Sequence, residues 1–158
     1  MPFLRTTLLF TAIFLFSLGK PVAGQSKTDS LIAVLKTQKE DTNAVKTIHR
    51  ICVAYVEENN PEGSLAYAKT GIAMAERLKL GKPKINQYYH AGKACIILSR
   101  YDDAFNYLDY AIKHGKEYKK LYPQCLSAMG TVFIKQGNYP KAMDYLLESL
   151  KIKEEMTF

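Results

Sequence analysis

The sequence predicts an all-α protein in which one helix pair recurs three times as an α-solenoid, preceded by a short capping helix. Three observations predict it. A segment recurs at nearly constant spacing, a three-to-four-residue apolar period runs ahead of each copy, and small residues stand where helices would cross. The segment is clearest at 137–150, GNYPKAMDYLLESL, and at 99–112, SRYDDAFNYLDYAI, with a weaker copy at 59–72, NNPEGSLAYAKTGI. Anchored on Ser64, Ala104 and Ala142, the copies are 40 and 38 residues apart. Self-similarity at that period marks a stack of supersecondary units, each too small to bury its apolar face alone.

Residues 1–24 stand apart from this pattern. Arg5 gives a basic start, 6–19 is an uncharged apolar run, and Lys20 and Pro21 end it. Val22-Ala23-Gly24 offers small residues to a signal peptidase, with cleavage expected after Gly24. The run is shorter than the roughly 20 residues a spanning helix needs. Gln25 rather than a cysteine follows, so no lipid anchor is implied. The expectation is an exported chain, periplasmic or extracellular, with no membrane span in its mature part; a retained leader acting as an anchor is the rival reading.

Residues 25–41 form an N-terminal segment with a capping helix at 29–37, opened by Thr28 or Asp29 and striped with Leu31, Ile32 and Leu35. The repeat domain then occupies 42–158, in units at about 45–82, 85–122 and 123–156. Its six helices are expected near 42–58, 61–79, 83–98, 101–118, 121–136 and 139–156. Asn60-Pro61 reads as an N-cap followed by proline in the first turn, and Pro140 repeats the signal. Gly81 with Pro83 is expected to close the helix begun at Pro61, and Gly137 to break the one before Tyr139.

Within each unit the first helix carries the same face. Ile48, Ile51, Cys52 and Tyr55 align with Tyr88, Ala91, Gly92 and Cys95, and with Leu126, Met129, Gly130 and Phe133. Offsets of three, four and seven are one side of a helix. The expected crossing positions are Cys52, Ser64 and Gly71; Gly92, Ala104 and Ala111; and Gly130, Ala142 and Ser149. All are Gly, Ala, Ser or Cys, types that supply only 34 of the 158 residues. Tyr55, Ile72, Leu108, Ile112, Phe133, Leu146 and Leu150 are the expected fillers.

Charge and cysteine usage exclude several functions. Beyond residue 24 there are 20 basic and 15 acidic residues, scattered through the helices, which reads as a solvated surface and not a nucleic-acid site. Cys52, Cys95 and Cys125 are odd in number and widely spaced, so they make neither a disulfide framework nor a zinc site and read as core residues. His49, His90 and His114 fall on separate helices, and no metalloprotease, nucleophile-elbow or phosphate-loop motif occurs. No enzyme activity and no cofactor or metal are expected.

The copies resemble tetratricopeptide repeats over about Thr42 to Met156, with longer links than the basic 34-residue unit. They lack the family's tryptophan and its final proline. The resemblance implies a right-handed solenoid whose first helices line a concave, partner-binding face. Carried over, that face offers Lys46, His49, Val53, Val56 and Glu57; then Asn86, Tyr89, Lys93, Ile96 and Ile97; then Gln124, Ser127, Thr131, Ile134 and Lys135. Chaperone-binding members grip a terminal carboxylate through Lys, Asn and Arg. Here the matching places hold His49, Val53, His90, Gln124 and Ala128, so that clamp is absent. Lys46, Lys93 and Lys135 suit an acidic or carboxylate-bearing ligand.

The leader, QSKTDSL at 25–31, EDTN at 40–43 and the tandem repeats together resemble the extracytoplasmic start of certain bacterial sensor histidine kinases. That implies a sensory or docking segment. A free-standing periplasmic adaptor for envelope assembly is the alternative, and an enzyme without recognisable motifs a distant third. The last helix spreads Met143, Leu146, Leu147 and Leu150 over more than one side, which reads as an uncapped end open to a partner or a second copy.

Overall fold

The computed structural model describes residues 26–156. They form seven α-helices: α1 (Lys27–Thr37), α2 (Thr42–Glu57), α3 (Pro61–Arg77), α4 (Gly81–Ile97), α5 (Tyr101–Gly115), α6 (Tyr122–Lys135) and α7 (Tyr139–Glu155). The expected leader and its cleavage point after Gly24 lie outside the described residues. Among the described residues no helix is long and apolar enough to cross a membrane.

Helix starts follow local chemistry. The Asp41 carboxylate accepts the N–H groups of Asn43 and Ala44, Asn60 accepts that of Gly63, and Asn138 that of Lys141. These side chains satisfy donors that the first helical turn leaves open. Helix α1 begins earlier than expected. Ser26 is its cap, with Oγ 3.0 Å from the Asp29 nitrogen, and Thr28 is buried within the first turn.

Four helix ends share one geometry. Asn59, Lys79, Ser99 and Gly137 have φ of 55, 54, 57 and 75°. The next residue's N–H then returns to a carbonyl five residues back: Asn60 to Tyr55, Leu80 to Ala75, Arg100 to Cys95 and Asn138 to Phe133, at 2.8–2.9 Å. This is the Schellman ending, which normally favours glycine. Lys79 takes that position, so Gly81 does not close α3 as expected. Gly81 is the first residue of α4, and Pro83 sits in its first turn, where a missing N–H costs no helical bond.

Consecutive helices pack side by side, giving an all-α, repeat-like stack. Helix α2 also touches α4, and α4 touches α6, whereas α3 does not reach α5 nor α5 reach α7. The even-numbered helices therefore form one layer and the odd-numbered ones a second. Helix α1 packs on α2. Its buried Leu31 joins Ile51 and Ala54, while Lys27–Glu57 at 2.7 Å and the Thr28 N–H on Glu58 add an exposed polar clasp.

All nine expected crossing residues are buried. A Cβ on Gly92 would stand 2.6 Å from Leu108 Cγ, and one on Gly130 would stand 2.8 Å from Leu146 Cγ. Gly71 is small for a different reason. It admits Gln87 of α4, whose Cδ would lie 2.7 Å from an added Cβ. Gln87 is fully buried, donates to the Val45 carbonyl at 3.2 Å and accepts from the Cys52 thiol. Leu150 is not the filler the pattern suggests. It is 51% exposed, because among the described residues only α6 packs on α7.

The three cysteines are buried and unbridged, as core residues. Burial pushes the Cys52 and Cys125 thiols up to about 12, so neither is a thiolate nucleophile.

Candidate functional site

The layer of α2, α4 and α6 carries two adjoining depressions of about 380 and 410 Å³ that share Tyr89, Lys93 and Gln124. Their walls obey helical spacing. Helix α2 gives His49 and Val53; α4 gives Lys82, Asn86, Tyr89, Lys93, Ile96 and Ile97, each three or four residues from the one before or adjacent to it. The start of α6 and its approach give Lys120, Leu121, Gln124, Ser127, Ala128 and Thr131, and Lys153 leans in from α7.

Ten residues predicted for a binding face thus come together here: His49, Val53, Asn86, Tyr89, Lys93, Ile96, Ile97, Gln124, Ser127 and Thr131. Lys46 and Lys135, one turn beyond His49 and Thr131, are exposed but line neither depression. Val56 and Ile134 also lie outside. Glu57 pairs with Lys27 of α1 and lines neither depression. His49, Val53, His90, Gln124 and Ala128, the places matched above to the carboxylate clamp of chaperone-binding tetratricopeptide proteins, all line the groove.

At the centre, Tyr89 lies half-buried with Lys93 Nζ 5.6 Å from its ring centroid and the His90 ring 5.5 Å away, edge-on. Burial raises the Tyr89 hydroxyl above its usual value, so the phenol keeps its proton. His90 Nε2 meets His49 Nδ1 at 2.7 Å, and burial lowers both imidazoles, which leaves the pair uncharged. The two histidines fall on separate helices but are 41 residues apart, close to one repeat, and that offset is the sequence signal that pairs them.

The α6–α7 end is held by hydroxyls. Ser149 Oγ donates to the Pro123 carbonyl at 2.6 Å and meets Ser127 Oγ at 2.7 Å, and Lys153 Nζ donates to Ser127 at 3.1 Å. Ser149 was singled out for its size. Its hydroxyl adds a hydrogen bond that alanine at this position would lack.

Among the described residues no group of three His, Cys, Asp or Glu is placed to hold a metal ion. The groove offers amide, phenol, hydroxyl and ammonium donors beside an apolar patch. No protein-family model matches the sequence, and no curated protein matches it significantly.

Proposed function

We propose that this protein is an exported tetratricopeptide-type scaffold that holds a protein or peptide ligand in the groove of α2, α4 and α6. The three helix pairs α2–α3, α4–α5 and α6–α7 are its repeats, wound as a right-handed solenoid, and α1 is its N-terminal cap. The observation that carries this reading is the groove itself. Donors and apolar side chains from three separate helices converge on one indented face, at the spacing a repeat imposes.

Binding fits this groove better than catalysis. Its two imidazoles are depressed into the neutral form, no carboxylate lines it beside them, and the Ser127 hydroxyl is engaged with Ser149 of α7. The role we assign is the sensory or docking segment of a signalling protein. The leader at 1–24 places it outside the inner membrane.

Two measurements test this. The protein recovered from the periplasmic or secreted fraction should begin at Gln25. A photo-crosslinking residue at Gln124 should join the protein to a defined partner in living cells, while the same residue at Lys113, on α5, should not. Equal crosslinking from both positions would overturn the groove assignment.

A further inference from the structure

Lys82, Lys93 and Lys120 converge on the depression beside Tyr89. The chain has 15 acidic residues, and none lines either depression. Among the described residues no carboxylate forms an ion pair with any of these three lysines. Lys93 instead lies over the Tyr89 ring. The neutral histidine pair contributes hydrogen-bonding capacity and no charge. Concave walls of one sign focus the field, so this end of the groove attracts anions more strongly than the same lysines would on a flat surface.

The other end is different in kind. Ile96 and Ile97 form an apolar wall, with Ile97 48% exposed. An exposed isoleucine beside an unpaired ammonium cluster matches a ligand that carries both an apolar side chain and carboxylates. We infer that the groove takes an acidic segment of a partner protein, its carboxylates toward Lys82, Lys93 and Lys120 and an apolar residue against Ile96 and Ile97. This rests on the groove-binding function proposed above and names the chemistry of its ligand.

A nucleic acid fits less well. Its bases need exposed aromatic faces to stack on, and the groove has one tyrosine, already faced by Lys93. Phosphates are best gripped by the arginine fork, and no arginine lines the site. The isoleucine wall would have no counterpart on a phosphate backbone.

Three fluorescent peptides of one length provide the test: alternating Glu and Leu, alternating Lys and Leu, and alternating Gln and Leu, with an oligothymidylate of matched charge as a fourth probe. Binding to the purified protein is read by anisotropy at neutral pH. The Glu peptide should bind about tenfold more tightly than the other two peptides and the oligothymidylate. Its affinity should fall as salt rises. Lys93→Glu combined with Lys120→Glu should reverse the preference between the Glu and Lys peptides. Ile97→Ser, at an exposed position, should weaken the Glu peptide without unfolding the protein. Should the Gln peptide bind as well as the Glu peptide, ignore the lysine reversals and still weaken in Ile97→Ser, the groove binds peptides and the acidic preference is wrong. Equal binding of oligothymidylate would replace the acidic segment with a general polyanion. Binding of none of the peptides would overturn the groove reading together with this one.

Discussion

His90 Nε2 lies 2.7 Å from His49 Nδ1, joining α2 to α4 through two imidazoles at the floor of the groove. Burial, the His49 ring and Lys93 push His90 down to about 3. Lys82 and Lys120 line the same depression, and no acidic residue there offsets them. An unfolded histidine takes up its proton near pH 6.5. Below that value the unfolded chain therefore holds a proton at this position that the folded chain does not. Stability is unaffected above the window and falls as pH drops through it, by roughly 1.4 kcal/mol per pH unit. Urea denaturation across a pH series should show this slope in the wild type and a shallower one in His90→Phe. Parallel slopes would mean that His90 takes up its proton without opening the structure.

Gly130 sets the approach of α6 to α7. An alanine Cβ there would meet Leu146 Cγ at 2.8 Å and the Ala142 carbonyl oxygen at 3.3 Å, so both a side chain and a backbone must shift. Gly130→Ala should cost about 1–3 kcal/mol by overpacking, and Gly130→Leu more. Thermal melts of both variants check this. An unchanged melting temperature in Gly130→Leu would contradict the packing register.

The register of these crossings was legible because repetition supplies an internal comparison. One small residue is weak information; small residues at matching places in three copies are not. The helix bounds were legible for a similar reason, through Asn60-Pro61, Pro140 and Gly137. The turn at Lys79 was not, because a Schellman ending can place lysine or serine in the left-handed region at a cost of about 1–2 kcal/mol that packing offsets. Contacts between units were the least legible. Nothing in the sequence singles out Gln87, and only the packing of α4 on α2 and α3 reveals that it is enclosed. The middle of the proposed face lines the two depressions, whereas Glu57 at its end pairs with Lys27 of α1.

Gln87 and Gly71 should behave as one unit. Gly71→Ala places a methyl against the Gln87 side chain, and Gln87→Ala removes that side chain while deleting its bond to Val45. Each change alone should destabilise the protein. The double variant should cost less than the sum, because the alanine methyl at 71 occupies space that Gln87 has vacated. A coupling of roughly 0.5–3 kcal/mol is expected from a double-mutant cycle. Strict additivity would show that the two residues are not packed together in solution.

Helix α7 presents Tyr139, Met143, Leu147 and Leu150, each 51–68% exposed, along one stripe. Offset by the 38-residue repeat, Tyr139, Met143 and Leu150 correspond to Tyr101, Phe105 and Ile112 of α5. Those three are partly buried against the core, and Phe105 meets Phe133 of α6. The α7 stripe is therefore the counterpart of a surface that elsewhere receives the next helix. An apolar stripe of this kind left in water drives association. Light scattering over a concentration series should show the mass of the repeat region rising above that of a monomer. Leu147→Lys with Leu150→Glu should return it to monomer with little loss of stability, since neither residue is buried. A wild-type mass that stays monomeric at every concentration would show that the stripe is adequately solvated and that association does not run through α7.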